Sequence, residues 1–354
     1  MSARAAVALA AGMGLGRFAY TPILPLMTAQ AGLTASAGAG LATANYLGYF
    51  AGAVAATAAR LHTRAVHRAA LVVLTLSLAG MPLTHGVVAW SALRFIAGAA
   101  SALVFVLAVS TRPGWGMSGV GAGIALSGVV VLADSRWQVS WWLVAGLSAL
   151  FTALAWQLRP VPRPRAATAR GGPFARLFAG YALEGVGYII AGTFLVAAAG
   201  PLGSGAWVLT GLAAAASPFL LARLDQRRAL TGALVVQAAG IALPALSTDP
   251  VVVVLAFVLF GATFLGIALT ALNLGAGLHP NSAALLTAGY SAGQVAGPLL
   301  ASPLLSRGYQ PALLLGAAVV LTAAGVIALP RPDPPRPSRR RSSEKSVTAT
   351  GSTG

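Results

Sequence analysis

The sequence predicts an all-α polytopic membrane protein of twelve helices in two six-helix halves, on three observations. Of 354 residues 57% are hydrophobic and 8% charged, whereas a soluble domain carries roughly 25% charged residues. The apolar runs last about 20 residues, enough for a helix to cross the bilayer core, and they show no period-2 alternation. Threaded alternately in and out, they leave almost all basic residues on one side.

The runs lie at 5–27, 33–59, 69–85, 89–110, 116–133, 137–158, 174–198, 205–222, 229–246, 250–274, 283–304 and 311–330. The third, fifth, eighth and ninth are the shortest, so hydropathy alone fits eleven spans as well as twelve. Charge decides between them. Of the 23 basic residues, Arg17 and Arg94 fall inside runs and Arg136 and Arg307 on one side, which leaves the other nineteen together on the opposite side. The positive-inside rule makes that side cytoplasmic, with both termini on it, in a cell membrane. Arg4 before the first run resembles a signal-peptide start, but Arg17 interrupts the run and no small-residue cleavage site follows, so it is kept as a helix. Trp90, Trp137, Trp141 and Trp207 near outer ends, and Trp115 and Trp156 near inner ends, form an interfacial belt.

The domain organisation follows: a six-helix half over 1–158, a Pro- and Arg-rich cytoplasmic linker at 159–173, a second half over 174–330 and a disordered basic tail at 331–354. A shift of 168 places Ala11-Gly12 on Ala179-Gly180 and Tyr20 on Tyr188. A shift of 170 places Gly119 and Gly123 on Gly289 and Gly293, and one of 163 places Gly98-Ala99 on Gly261-Ala262. These shifts, near half the length, pair spans 1 with 7, 5 with 11 and 4 with 10.

Several function classes drop out. Zero cysteines and four scattered histidines (His62, His67, His85, His279) give no metal-ligand spacing. The net charge of +17 is spread through short loops without a basic, aromatic-interleaved domain, which argues against nucleic acid. No Walker-type loop occurs, and no cofactor is expected.

Gly14-Leu-Gly-Arg-Phe-Ala-Tyr-Thr-Pro-Ile-Leu-Pro-Leu-Met27 resembles the opening helix of the YbfB/YjiJ-type branch of the major facilitator superfamily. Ala44–Phe50, Leu183–Tyr188, Gly261–Ile267 and Gly293–Pro298 are similar to it as well, and the similarity runs through most of the chain up to residue 330. Arg94-Phe-Ile-Ala-Gly98 resembles the superfamily's fourth-helix arginine motif, and Arg223-Leu-Asp225-Gln-Arg-Arg228 its loop motif. The first-half loop, Gly52 to Arg64, keeps its arginines without an aspartate, and the fifth helix lacks the antiporter-type proline that Pro298 supplies in the eleventh. The resemblance implies a monomeric, proton-coupled secondary transporter of a small molecule. It also implies a cytoplasmic gate of Arg60, Arg64, Asp225, Arg227 and Arg228, and membrane lipid as surrounding partner.

Ionisable side chains inside spans are costly and usually mark function. Arg17, Arg94 and Glu184 are the three here. Arg17 and Glu184 lie roughly 15 to 18 Å from the cytoplasmic ends of their helices, by the helical rise per residue, and so share the midplane. Arg17 and Arg94 are the candidates for an anionic or polar substrate group, Glu184 for the coupling proton. Tyr20, Asn45, Tyr46, Tyr49, Tyr188, Thr263 and Gln294 are the uncharged substrate candidates, with Gln237 and Asn273 as further polar positions; a helix-contact role competes at each. Two rival functions are an intramembrane serine enzyme built on Gly289-Tyr-Ser291-Ala-Gly293 and a non-transporting receptor. The first lacks the strand its motif requires.

Overall fold

The computed structural model describes residues 2–58, 63–108, 113–159 and 171–329. Arg60, most of the expected linker and the expected tail lie outside them. The described residues form α1 (Ser2–Leu9), α2 (Tyr20–Ala31), α3 (Ala35–Ala58), α4 (Arg64–Gly80), α5 (Val87–Ala108), α6 (Pro113–Ala133) and α7 (Trp137–Ala155). They continue with α8 (Gly171–Ala198), α9 (Gly203–Leu221), α10 (Gln226–Leu246), α11 (Pro250–Ala276), α12 (Ser282–Ala301) and α13 (Gln310–Ala328). Among the described residues ten stretches are long and apolar enough to cross a membrane, α1 and α2 counting as one of them. Helices α3 and α12, of 24 and 20 residues, are as long but richer in small and polar residues.

Side chains set several helix starts. Thr63 accepts from the Val66 N–H, Asp225 from that of Arg228, and Asp249 from those of Val251 and Val252, satisfying donors that a helix start leaves free. Gly32, at φ +67°, ends α2 in the left-handed conformation that glycine adopts without penalty.

The expected first helix departs from a continuous span. Residues Ala10–Leu15 form a π-helix, followed by a turn at 16–19. The Gly16 and Phe18 N–H groups reach back five residues, to the carbonyls of Ala11 and Met13. Pro22 lacks an N–H, and the Thr21 N–H turns to Phe18 instead of Arg17. Glycines at 12, 14 and 16 let this segment press on its neighbours; a Cβ on Gly14 would stand 2.5 Å from the Gly123 Cα.

Packing repeats along the chain. The first span packs on α6, α3 on α5 and α4 on α7; likewise α8 packs on α12, α9 on α11 and α10 on α13. Asn45 Nδ2 donates to the Arg94 carbonyl at 2.8 Å, and Thr210 Oγ1 donates to the Phe257 carbonyl at 2.9 Å. Gly98 lies against the Asn45 backbone, as Gly261 lies against Thr210. The shift of 163 that aligns Gly98 with Gly261 also aligns Arg94 with Phe257, so both pairs make the same bond in the same place. The two sets of helices meet along α6 and α9 and along α3 and α12. Outward faces are apolar, Val88 being 85% exposed and Val251 76%, as a lipid-facing surface requires.

Gly98→Val forces a side chain into the Asn45 carbonyl. Overpacking of this kind costs about 1–3 kcal/mol, so the purified variant is expected to melt below the parent in detergent, and Gly261→Val to do the same. Unchanged melting of both variants would refute the close approach.

Candidate functional site

The broken first span leaves backbone carbonyls without helical partners inside the bundle, where each needs a donor. Arg94, on α5 and 1% exposed, supplies two of them. Its Nη1 donates to the Gly16 carbonyl at 3.0 Å and its Nη2 to the Arg17 carbonyl at 3.1 Å. The Tyr20 ring covers the Arg94 guanidinium at 5.0 Å and Trp141 at 5.8 Å. Tyr20 itself donates to the Gly38 carbonyl at 2.9 Å.

Arg17 leaves the same turn, and its guanidinium is caged by ring faces: Tyr49 at 4.3 Å, Tyr46 at 5.0 Å and Phe18 at 5.5 Å. These contacts favour the cation, yet its Nε and Nη2 are buried without a hydrogen-bond partner. Tyr46 shares a hydrogen bond of 3.0 Å with Thr193 of α8, and Thr21 donates to the neighbouring Gly192 carbonyl. The cage is thereby tied to the second set of helices.

On that side stands a stack of nearly parallel rings. Tyr188 lies 4.9 Å from Phe264 and 5.4 Å from Tyr290, and Tyr181 lies 4.4 Å from Tyr290. Phe18 meets Phe264 edge-on at 5.4 Å, joining the stack to the arginine cage. Gln294 Nε2 donates to the Tyr188 hydroxyl at 3.3 Å, while its Oε1 is unpaired. Glu184 is 1% exposed, and neither carboxyl oxygen makes a hydrogen bond. Gln237 and Tyr290 turn toward it without reaching bonding geometry. Tyr181, Tyr188 and Tyr290 lie within electrostatic range of both Arg17 and Glu184.

Among the described residues the one ion pair is Arg136 with Asp134, at 2.7 Å in the loop after α6. Arg136 holds the Asp134 carboxyl down at about 2 by hydrogen bonding. Arg17 and Glu184 are therefore not paired with each other here.

The structure gathers Arg17, Tyr46, Tyr49, Tyr188, Gln294, Glu184 and Gln237 into this one region. Asn45 and Arg94 bond backbone carbonyls at its edge, and Thr263 bonds back to Leu259 and Phe260 of its own helix. Asn273 is exposed. Among the described residues, the expected gate residues do not meet in an ion pair. Arg64 is exposed at the start of α4, Asp225 caps α10, Arg228 is exposed, and Arg227 donates to the Ile327 and Leu329 carbonyls at the end of α13. Ser291 Oγ is buried without a partner, so no base is bonded to it. Sequence reasoning missed Phe18, Tyr181, Phe264 and Tyr290. The seven-residue spacing of Tyr181 and Tyr188 and the four-residue spacing of Phe260 and Phe264 were the available signal, since such residues share a helix face.

A bundle of long apolar helices with an internal repeat and buried charges at its centre places the chain in the class of major facilitator transporters. The model of the family described as "Uncharacterised MFS-type transporter YbfB" matches residues 9–329, and the chain belongs to this family. No curated protein matches it in sequence. A single-substitution variant of the nucleoside transporter NupG is similar in structure, with a TM-score of 0.70 and 15% identity over 92% of this chain and 98% of that one. The human organic anion transporter MFSD10 (TETRAN) is similar at a TM-score of 0.65 and 17% identity, over 92% and 99%. These likenesses are of fold.

Arg94→Met removes both donors while keeping an apolar stem. Losing charged hydrogen bonds of about 1.5–3 kcal/mol each is expected to speed amide hydrogen exchange at residues 16–21 and to lower the melting temperature. Parent-like exchange there would show that the turn holds without Arg94.

Proposed function

We propose that the protein is a proton-coupled secondary transporter that moves a small molecule by alternating access between two six-helix halves. The carrying observation is the pair of buried, mutually unpaired charges, Arg17 and Glu184, one from each set of helices, with Tyr181, Tyr188 and Tyr290 in electrostatic range of both. Helices α3 and α12 complete twelve spans, and the repeated hydrogen bonds at Asn45 and Thr210 support the division into halves. Both termini are cytoplasmic by the charge distribution of the loops.

Arg17 takes the anionic or polar group of the substrate, with Tyr46, Tyr49, Tyr188 and Gln294 around it. Arg94, Asn45 and Tyr20 hold the broken helix that presents Arg17. Of the two solved relatives' substrate classes, an unpaired guanidinium favours the organic anion. Glu184 binds and releases the coupling proton, because a carboxyl group with no hydrogen bond and no countercharge in a water-poor interior is costly as an anion. The bonds of Thr21 and Tyr46 to α8, and the 3.5 Å approach of Ser36 to Ser302, close the bundle toward the end where α2 runs into α3. In the proposed orientation that end is external. Rocking of the halves breaks these contacts and opens the site to the other side. Arg64, Asp225, Arg227 and Arg228 lie at the opposite, cytoplasmic end and form its gate in the other state of the cycle, with Arg60.

Glu184→Gln in proteoliposomes is expected to retain substrate exchange and lose accumulation driven by a proton gradient. Accumulation at the parent level would make Glu184 a packing residue. Reporter fusions at residues 165 and 345 are expected on the cytoplasmic side and one at 249 on the opposite side. Opposite locations for 165 and 345 would end the two-halves arrangement.

A further inference from the structure

Resting on the transporter reading, we infer that the transported molecule is a planar aromatic monocarboxylate, gripped by the side-on edge of Arg17. Nε and Nη2 form one edge of a guanidinium, with their N–H bonds nearly parallel, and both are buried without an acceptor. Two parallel donors match the two oxygens of a carboxylate, which such a fork binds in bidentate fashion. The ring faces of Tyr46, Tyr49 and Phe18 stabilise the positive charge, but they leave this edge unsatisfied. Arg94 cannot serve in the same way. Both of its Nη atoms are committed to the carbonyls of Gly16 and Arg17, so it has no open fork.

The surroundings select the body of the ligand. Phe18, over which the Arg17 guanidinium lies, packs edge-on against Phe264, which stacks in turn with the parallel rings of Tyr188 and Tyr290. A flat unsaturated ring packs against rings of this kind edge-on or face to face, whereas a puckered ring of equal size does not. Gln294 Oε1, on the residue bonded to the Tyr188 hydroxyl, is a buried acceptor that a hydroxyl on the ligand would satisfy. A cationic group on the ligand would compete with the proton for Glu184, so the class is a monocarboxylate without an amine.

The test uses the full chain in proteoliposomes and in detergent, with benzoate, benzamide, benzylamine and cyclohexanecarboxylate as probes. Benzoate is expected to bind and to cross the membrane, with the other three at least about tenfold poorer, the scale of a charged bidentate contact. Arg17→Lys keeps the charge but not the fork, so it is expected to lose benzoate binding as fully as Arg17→Ala, at an unchanged melting temperature. Benzoate binding by Arg17→Lys within threefold of the parent (roughly, by the same affinity scale) would overturn the fork. Flux of benzamide or benzylamine in preference to benzoate would overturn the carboxylate class and leave the transporter reading standing, and equal use of cyclohexanecarboxylate would overturn the aromatic body. Absence of both binding and flux for all four probes would overturn this inference. The transporter reading would then fail only if a broader metabolite panel also gave no flux.

Discussion

A helix that breaks inside a membrane protein exposes carbonyl oxygens where no water is at hand, and each such group costs several kcal/mol unless a donor reaches it. The first span of this chain breaks over residues 10–19, and the guanidinium of Arg94 reaches from α5 to the carbonyls of Gly16 and Arg17. That contact permits everything around it. Without the break, Arg17 would sit on a regular helix face. With the break but without Arg94, the turn would hold two unsatisfied acceptors. The cost of burying Arg94 is met in turn by the Tyr20 and Trp141 rings, so the arrangement satisfies both the charge and the backbone.

The same accounting leaves Arg17 and Glu184 in debt. Arg17 is solvated by three ring faces yet keeps two nitrogens without acceptors, and Glu184 keeps both oxygens without donors. Buried polar groups in folded proteins are nearly always paired, so unpaired ones inside one bundle mark a place where something else completes the bonding. A ligand anion at Arg17 and a proton at Glu184 complete it on the proposed reading.

Much of the fold is legible in the sequence, because hydropathy and loop charge are both consequences of the bilayer. The expected run at 250–274 becomes Pro250–Ala276 and that at 137–158 becomes Trp137–Ala155. The membrane fixes lengths, and so the ends follow. The break in the first span was not legible, since glycines at 12, 14 and 16 read equally as close-packing residues, which Gly14 against Gly123 also is. Of the site, the charges were legible because charge is rare in a span. The aromatic stack was not, because a tyrosine in a membrane helix carries no sign of whether it faces lipid, a neighbouring helix or a cavity. Likewise, sequence marks both Arg17 and Arg94 as candidates for a polar substrate group. Only the geometry separates a guanidinium whose Nη atoms are both occupied from one whose side-on edge is open.

The repeat explains why the break sits in one half only. Asn45 bonds the carbonyl of residue 94 as Thr210 bonds that of residue 257, and the glycines at 98 and 261 make the same close approach. At the position where the first half has Arg94, the second has Phe257, which carries no donor. Helix α8, the repeat counterpart of the first span, runs unbroken from Gly171 to Ala198. An unbroken helix frees no carbonyls and needs no guanidinium to reach them. The difference between arginine and phenylalanine at one repeated position therefore accompanies the difference between a broken and a continuous helix. It also sets the asymmetry of the site, in which a turn presents the cation and an unbroken helix presents the carboxyl group.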